Sequence, residues 1–400
     1  MDALTRCTSV DAATFAAEHW SRTPLLSRGK ELPRGAEAFS DLLSVDDVDE
    51  MVAERGLRTP FFRTVAKGSG LPSPVRRATA GGRTLTDLVD ADALHAQHAD
   101  GATLVLNALH RTHPPLARFC RQLAAELGHA TQCNAYVTPG GDARGFDFHH
   151  DTHDVFVLQV SGRKRWIVHE PVLRLPLPSQ KRAGDDLVPE GAEPLLDVEL
   201  EAGDALYLPR GYVHAAVTTD EHSVHLTVGV LSTTWKDVLD DVVALAASDE
   251  RFRDALPALD PAAALDDVPA FLRTVADWVA GLDPEQVRAR TARRLDRVVP
   301  PEPVRLLAQA AAARDLSPST PLRPRAGLRP SLADDGDRVV LAVPGRTVTF
   351  PAAVRPALER VLAGPSTPAD VVATGLDEAG CLVLARRLLR EGVLVPARTD

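Results

Sequence analysis

Phe148–Val168 has the sequence FHHDTHDVFVLQVSGRKRWIV, in which a strand-forming pattern directly follows a cluster of histidines and aspartates. The apolar, β-branched run Asp154–Val160 predicts a buried strand. Ser161-Gly162 is a typical turn pair, and Arg163–Val168 predicts a second strand. We therefore expect these two strands to pair back on each other as a hairpin.

Further short strands, separated by turn residues, follow along the chain. Gly203–Pro209 predicts a strand that enters a Pro-Arg-Gly turn, and Ser223–Val230 alternates as a half-buried strand does. Short antiparallel strands of this kind are typical of a double-sheet jelly roll, the cupin architecture. The sequence predicts a cupin barrel from about Gln132 to Ser232.

His149, Asp151 and His214 form a candidate metal site. Alternate residues of a strand point to one face, so His149 and Asp151 can bind one ion from one strand. His214 follows the Pro-Arg-Gly turn, and His150 alternates to the other face and is predicted not to bind. Two imidazoles and one carboxylate leave coordination positions open, as in non-heme Fe(II) oxygenases. Because the chain has 13 histidines, a chance His-x-Asp spacing is the alternative.

The composition is that of an ordinary globular protein of two or three domains, with 400 residues, 44% of them hydrophobic and 25% charged. We find neither an apolar run long enough for a membrane helix nor a signal sequence, so we expect a cytoplasmic protein without a membrane partner. The cysteines show no paired spacing, which favours a reducing compartment and argues against a thiolate metal site: Cys7, Cys120, Cys133 and Cys381. The net charge of −10 argues against nucleic-acid binding and is compatible with a basic protein or peptide as partner.

The pattern changes to helices after Trp235. Apolar residues recur there at helical spacing in two segments: Val238, Val242 and Leu245, then Phe271, Val275 and Trp278. Two interpretations stay open for this block. It is either a helical bundle that packs on the barrel, or a module through which the protein forms a homodimer.

Residues 317–330, SPSTPLRPRAGLRP, predict a linker because proline at this density prevents a helix. In residues 331–400, a predicted strand pair, three helices and a closing strand resemble a winged helix. The last helix carries Arg386, Arg387 and Arg390. Chain acidity and the absence of interleaved aromatic residues favour a structural or protein-contact role over DNA binding.

These patterns together predict an α+β protein. Its core is a double-stranded β-helix of the cupin (jelly-roll) type, in a catalytic domain over residues 1–232. A helical, dimerisation-type module covers residues 233–316, the proline-rich linker covers 317–330, and a winged-helix-like domain covers 331–400.

Several segments carry a family likeness: Phe15–Gly29, Asn134–Pro139, His149–Asp151, Asp154–Gln159, Gly162–Trp166 and Pro209–His214. In these segments the chain resembles the ribosomal oxygenase group of JmjC-type cupin proteins. The resemblance implies an Fe(II)- and 2-oxoglutarate-dependent oxygenase that uses O2 to hydroxylate a protein side chain. Members of the group hydroxylate ribosomal proteins, at histidine in some and at arginine in others.

The resemblance also implies roles for individual residues. The three residues of the candidate metal site look like the iron ligands, and no catalytic residue is implied beyond this metal centre. Lys164 matches the basic residue that binds the distal carboxylate of 2-oxoglutarate. Asn134 and Thr227 match polar residues that lie near this co-substrate.

Strand alternation supports an inward position for Lys164 independently of the resemblance. Arg163 and Arg165 fall on the opposite face, while Trp166 shares the face of Lys164. A buried ammonium needs an anionic partner because an uncompensated buried charge is costly. A ligand carboxylate would supply that partner, whereas a surface lysine in a basic hairpin is the alternative.

The sequence leaves the substrate open. The loop 140–147 is longer than the group's pattern and lies where substrate should enter. Alternative functions are a 2-oxoglutarate oxygenase acting on a small molecule or a peptide natural product, and a non-catalytic cupin scaffold. Of the remaining histidines, we expect His153 to pack and His225 to be a core histidine with a backbone partner.

Overall fold

The computed structural model of the protein describes residues 2–141, 145–296 and 298–397. The chain forms two compact units, Met1–Thr291 and Ala292–Asp400. The strands of the first unit are β1 Leu25–Ser27, β2 Phe62–Ala66, β3 Ser69–Gly70, β4 Val75–Ala80, β5 Arg83–Val89, β6 Thr103–Leu106, β7 Ala130–Thr138, β8 His149–His150, β9 Asp154–His169, β10 Leu196–Leu200, β11 Ala205–Leu208 and β12 Val213–Leu231. The helices up to residue 295 are α1 Ala12–Thr14, α2 Val45–Ala53, α3 Ala91–Ala99, α4 Leu109–Thr112, α5 Pro114–Leu127, α6 Trp235–Val243, α7 Val268–Ala280 and α8 Pro284–Leu295.

Helix α5, Pro114–Leu127, shows how local sequence determines where a helix begins and ends. Pro114 occupies the first turn, where its missing N–H costs no hydrogen bond. Leu116, Phe119 and Leu123 recur on one face and are buried in the core. Gly128 ends the helix with a φ of 71°, which glycine adopts without strain.

Antiparallel pairing joins most strands of the first unit into one large sheet with the order β1-β11-β9-β12-β7-β6-β2-β3. Strand β10 pairs with β9, and β8 pairs with β12. Strands β7 to β12 cover residues 130–231, which agrees with the predicted extent of the barrel.

Strands β9 and β12 are long, and they pair with each other along both of their halves. Residues 154–162 of β9 pair with 223–230 of β12, and residues 164–169 pair with 213–218. The predicted hairpin at Ser161-Gly162 is therefore wrong, because the chain continues there as one irregular strand. Gly162 has a φ of 64°, and a Cβ at this position would lie 1.8 Å from the carbonyl oxygen of His222. Only glycine allows this close approach of two backbones at a register shift.

The alternation predicted for β9 is confirmed. Lys164 and Trp166 are buried, whereas Arg163 and Arg165 are exposed. In the preceding half of the strand, Phe156 belongs to the large apolar core and Val157 to a smaller cluster that includes Trp166. The sheet therefore has one face towards the main core and one towards an interior lined by Lys164.

The second unit contains the strands and helices α9 Leu306–Arg314, β13 Leu322–Pro324, β14 Ser331–Asp335, β15 Arg338–Val343, β16 Arg346–Pro351, α10 Arg355–Ala363, α11 Glu378–Arg390 and β17 Leu394–Pro396. Strands β14, β15 and β16 form an antiparallel sheet, and β13 pairs with β17. The predicted strand pair, two of the helices and the closing strand are present, and the third predicted helix is a 3-10 turn, Ala369–Thr374. The likeness to a winged helix stays a prediction.

Residues 317–330 are not a free linker. Strand β13 lies within them, and Leu322 is 2% exposed and exchanges backbone hydrogen bonds with Ser366. Proline is tolerated in such a short edge strand because it lacks only a donor. Helix α9, predicted to belong to the helical module, lies in the second unit, where Ala312 and Ala313 pack against the core. The predicted end of the catalytic domain near residue 232 stays a prediction.

Within the described ranges, the structure contains no helix that is both long and apolar enough to cross a lipid bilayer.

Candidate metal centre and its cavity

The structure brings the three predicted metal ligands together. His149 on β8 and His214 on β12 are direct cross-strand partners, with ring centroids 4.4 Å apart. Asp151 follows β8, and its Oδ2 lies 3.9 Å from His214 Nε2. One potential ligand atom from each residue lies within 4.8 Å of the others. One ion can therefore contact all three after small side-chain rotations.

Backbone carbonyls fix the orientation of both imidazole rings. His149 Nδ1 lies 2.8 Å from the carbonyl oxygen of Asp147, and His214 Nδ1 lies 3.0 Å from that of Tyr212. A carbonyl oxygen only accepts hydrogen bonds, so each Nδ1 carries the proton and donates it. Each Nε2 then keeps a lone pair, which is the arrangement that metal-binding histidines use.

The electrostatics of the site keep His214 and Asp151 in their metal-binding protonation states. Burial, reinforced by His149, lowers the pKa of His214 to about 4, so its ring is neutral at physiological pH. Burial would raise the pKa of the Asp151 carboxyl, but His214, His153 and His149 outweigh burial and lower it. The neutral imidazole of His214 and the ionised carboxylate of Asp151 fit a divalent cation such as Fe(II).

A cavity of about 230 Å³ adjoins the three ligands. Its lining combines charged, aromatic and apolar side chains from the inner strand faces and from the 145–146 and 181–183 segments: Arg63, Thr103, Tyr136, Phe146, Val155, Val157, Lys164, Trp166, Lys181, Ala183, Ala216, His225 and Thr227, with the backbone of Gly145. Residues 142–144 of the predicted substrate loop lie outside the described residues. The cavity is large enough for a small organic acid beside the metal.

Lys164 lies in this cavity as predicted, and it is 4% exposed. Its Nζ donates a hydrogen bond to Thr138 Oγ1 at 2.9 Å, and no carboxylate of the described residues lies within 4.0 Å of it. Burial lowers the pKa of Lys164 to about 7. A buried ammonium with a neutral hydroxyl as its partner is well placed to bind an anionic ligand.

The two other predicted co-substrate residues differ in position. Thr227 lines the cavity, on the same strand as His225. Asn134 is not among the lining residues, and its Oδ1 accepts a hydrogen bond from the backbone N–H of Ala108 at 2.9 Å. Asn134 also hydrogen-bonds Tyr136, which does line the cavity, and burial raises the pKa of Tyr136 to about 12. Asn134 therefore does not line the cavity itself, but it contacts Tyr136, which does.

Three further histidines, His150, His153 and His225, have different surroundings. His150 is buried on the other face of β8, outside the candidate ligand group, and its predicted non-binding role stays a prediction. His153 packs closely on Gly229, where a Cβ would lie 2.4 Å from its ring. The expectation of a backbone partner for His225 is wrong, because its Nδ1 has no hydrogen-bond partner among the described residues and its ring lines the cavity.

Sequence reasoning missed Arg63, Tyr136 and Lys181 as lining residues. Tyr136 could have been found by alternation, since it lies two residues after Asn134 on one strand. Arg63 comes from β2, 86 positions before His149 by residue number, and only the sheet order brings it near.

Comparison with known proteins agrees with this geometry. Residues 106–238, which include the three candidate ligands, match the family described as the JmjC domain. The chain is 32% identical over 222 residues to the bifunctional lysine-specific demethylase and histidyl-hydroxylase NO66 of Drosophila persimilis, which covers 54% of this chain and 29% of the relative. It is 31% identical over 252 residues to ribosomal oxygenase 1 of Gallus gallus, which covers 61% and 40% respectively. The chain thus spans less than half the length of these two curated relatives.

Among solved structures, the chain is similar to YcfD, a ribosomal oxygenase from Escherichia coli, in a complex with cobalt and 2-oxoglutarate. The TM-score is 0.52 at 20% identity, and the match covers 97% of this chain and 98% of YcfD. This likeness confirms the predicted α+β fold with its cupin core. Residues 106–238 thus match the JmjC domain, and the chain is similar over a longer stretch to ribosomal oxygenase 1.

Proposed function

We propose that the protein is a 2-oxoglutarate-dependent dioxygenase that uses Fe(II) and O2 to hydroxylate a protein side chain. One observation carries the proposal: a two-histidine, one-carboxylate triad shares a cavity with a buried lysine that has no anionic partner among the described residues. The keto acid end of 2-oxoglutarate is a metal chelator, and its distal carboxylate is the anion that Lys164 needs. The names of two relatives support the same assignment, as do the cobalt and 2-oxoglutarate bound to the similar protein YcfD.

The residues of the chain have separate tasks in this reaction. When bound, the iron supplies activation of O2, in a reaction that converts 2-oxoglutarate to succinate and CO2 and inserts one oxygen atom into a C–H bond. His149, Asp151 and His214 hold the ion on one side and leave the other positions open. Lys164 orients the co-substrate, and Val155 contributes to an apolar wall that limits the access of water.

We propose that the substrate is a histidine or arginine side chain of a ribosomal protein in the cytoplasm. The names ribosomal oxygenase and histidyl-hydroxylase support this substrate class. The net charge of −10 supports a basic protein partner, because opposite charge speeds and favours association.

The test uses ribosomal proteins from cells that lack the gene, incubated with the purified protein, Fe(II) and 2-oxoglutarate. We expect one peptide to gain the mass of one oxygen atom, together with an equal amount of succinate, and no change when 2-oxoglutarate is omitted. Succinate without a modified ribosomal peptide would contradict the ribosomal substrate and favour a small molecule or peptide natural product. No succinate under any condition would contradict the enzyme and favour a scaffold.

We also propose that the protein forms a homodimer through α6. Trp235, Leu239 and Val243 recur four residues apart on this helix and are 86%, 55% and 59% exposed. An exposed apolar stripe of this kind is typical of a protein–protein contact, and a second copy of the chain offers the same stripe.

Sedimentation velocity tests this dimer with two matched substitutions. We expect Leu239→Glu to convert the dimer to a monomer, because the carboxylate would lose its hydration in the contact. Val172→Glu is the control, since Val172 is 56% exposed in a loop and lies outside α6. A wild-type protein that sediments as a monomer would contradict the proposal.

A further inference from the structure

His225 is a buried polar side chain whose orientation is fixed by two aromatic rings. It lies opposite Tyr136 in the register between β12 and β7, and the two rings stack at 4.9 Å with 2° between their planes. Trp166 contacts it edge-on, with ring centroids 5.5 Å apart. His225 is 3% exposed, so it is held against the cavity wall and has little freedom to turn.

Among the described residues, neither ring nitrogen of His225 has a hydrogen-bond partner. Nδ1 is buried, and the ring as a whole lines the cavity. A buried polar atom without a partner destabilises the folded state, and most buried polar atoms in native structures are hydrogen-bonded. If the side chain at position 225 only filled space next to Tyr136, phenylalanine would fill the same space and would leave no polar atom without a partner.

The charge around His225 indicates what it can bind. Burial and the neighbouring Lys164 cation hold the pKa of His225 well below its usual range, so the ring is neutral. A neutral imidazole has one N–H donor and one acceptor nitrogen. It can therefore add a hydrogen bond to an anion that Lys164 attracts, without placing a second buried positive charge beside the first.

We propose that His225 is a co-substrate-binding residue that donates a hydrogen bond to the distal carboxylate of 2-oxoglutarate, alongside Lys164. The proposal rests on the proposed function, since it names a further contact in the same cavity. Two donors from different strands, Lys164 on β9 and His225 on β12, then recognise one carboxylate. This pair selects a dicarboxylate over a keto acid of the same length that ends in a methyl group.

The experiment compares two ligands of the Mn(II)-loaded protein by titration calorimetry, under conditions in which no turnover occurs. The ligands are 2-oxoglutarate and 2-oxopentanoate, which has the same keto acid end and chain length but a methyl group in place of the distal carboxylate. His225→Phe keeps a stacking ring without an N–H, and His225→Gln keeps a donor.

We expect His225→Phe to weaken the binding of 2-oxoglutarate about tenfold and to change that of 2-oxopentanoate by less than about twofold. His225→Gln should recover most of the lost preference for the dicarboxylate. Equal weakening of both ligands in His225→Phe would show a merely structural role, and unchanged binding would show no role. Both results would overturn the proposal while the wild-type preference for 2-oxoglutarate still supported the enzyme. A wild-type protein that binds neither ligand would overturn the proposed function and this inference together.

Discussion

Asp151→Ala is expected to lower the affinity for Fe(II) by more than about 100-fold and to abolish succinate formation. Removal of groups that only orient the ligands of a metal already costs about 10–100-fold in affinity, so loss of a ligand costs more. Asp151 is also the one carboxylate of the candidate set, and without it the two neutral imidazoles bring no negative charge to the ion. Anaerobic equilibrium dialysis with Fe(II) measures the affinity, and chromatography of the products measures succinate.

Asp197→Ala is the matched control for this prediction. Asp197 lies on β10 of the same sheet, where it forms an ion pair with Arg165 at 2.6 Å on the outer surface. The substitution removes one carboxylate from the barrel at a position that does not line the cavity. We expect unchanged Fe(II) affinity, and an equal loss in both variants would contradict a local metal site at Asp151.

The residues that alternate on single strands were predictable from the sequence. A side-chain period of two residues determines that His149 and Asp151 share a face, and that Lys164 points away from Arg163 and Arg165. Both conclusions hold for any antiparallel arrangement of the strands. Alternation within one strand does not reach the distant His214, which was predicted from its position after the Pro-Arg-Gly turn of a later strand, and the family likeness then supported it.

The contacts between strands were not predictable in the same way. At Gly162 the sequence shows a turn pair, but whether the chain reverses or continues depends on β12, whose backbone approaches within a distance that only glycine allows. The partner of His225 likewise depends on which residue of β7 lies opposite. Secondary-structure propensity depends on neighbouring residues along the chain, whereas the register between strands depends on the packing of the whole barrel.

Lys164→Met is expected to weaken the binding of 2-oxoglutarate by about 100-fold and to leave the affinity for the metal alone unchanged. Loss of one partner of a buried, hydrogen-bonded charge pair costs about 2–5 kcal/mol, and about 2.8 kcal/mol corresponds to a 100-fold change. Methionine keeps the length and apolar stem of the side chain, so the cavity keeps its shape. Calorimetric titration of the Mn(II)-loaded protein measures the affinity for 2-oxoglutarate.

The same lysine predicts a pH dependence with a definite sign. The pKa of Lys164 is lowered to about 7 in the absence of an anion, so the ammonium loses its proton as the pH rises above about 7. A carboxylate binds the charged form, hence the affinity for 2-oxoglutarate falls between about pH 7 and about pH 9, with proton uptake on binding. Neighbours on the facing strands do not titrate in this window: the pKa of His225 is held well below its usual range, that of Tyr136 is raised to about 12, and Thr138 has no charge.

The substituted proteins separate this explanation from titration elsewhere in the site. In Lys164→Met the affinity for 2-oxoglutarate is already low, and it should not change over the same pH range because the titrating group is absent. Lys164→Arg keeps its charge, because a guanidinium does not lose its proton in this range. Its affinity for 2-oxoglutarate should therefore also be independent of pH. If the decline above about pH 7 persists in Lys164→Met, a different group titrates, and Lys164 is not the anion-binding cation of the cavity. A decline confined to the wild-type protein would identify one buried ammonium as the group that couples co-substrate binding to pH.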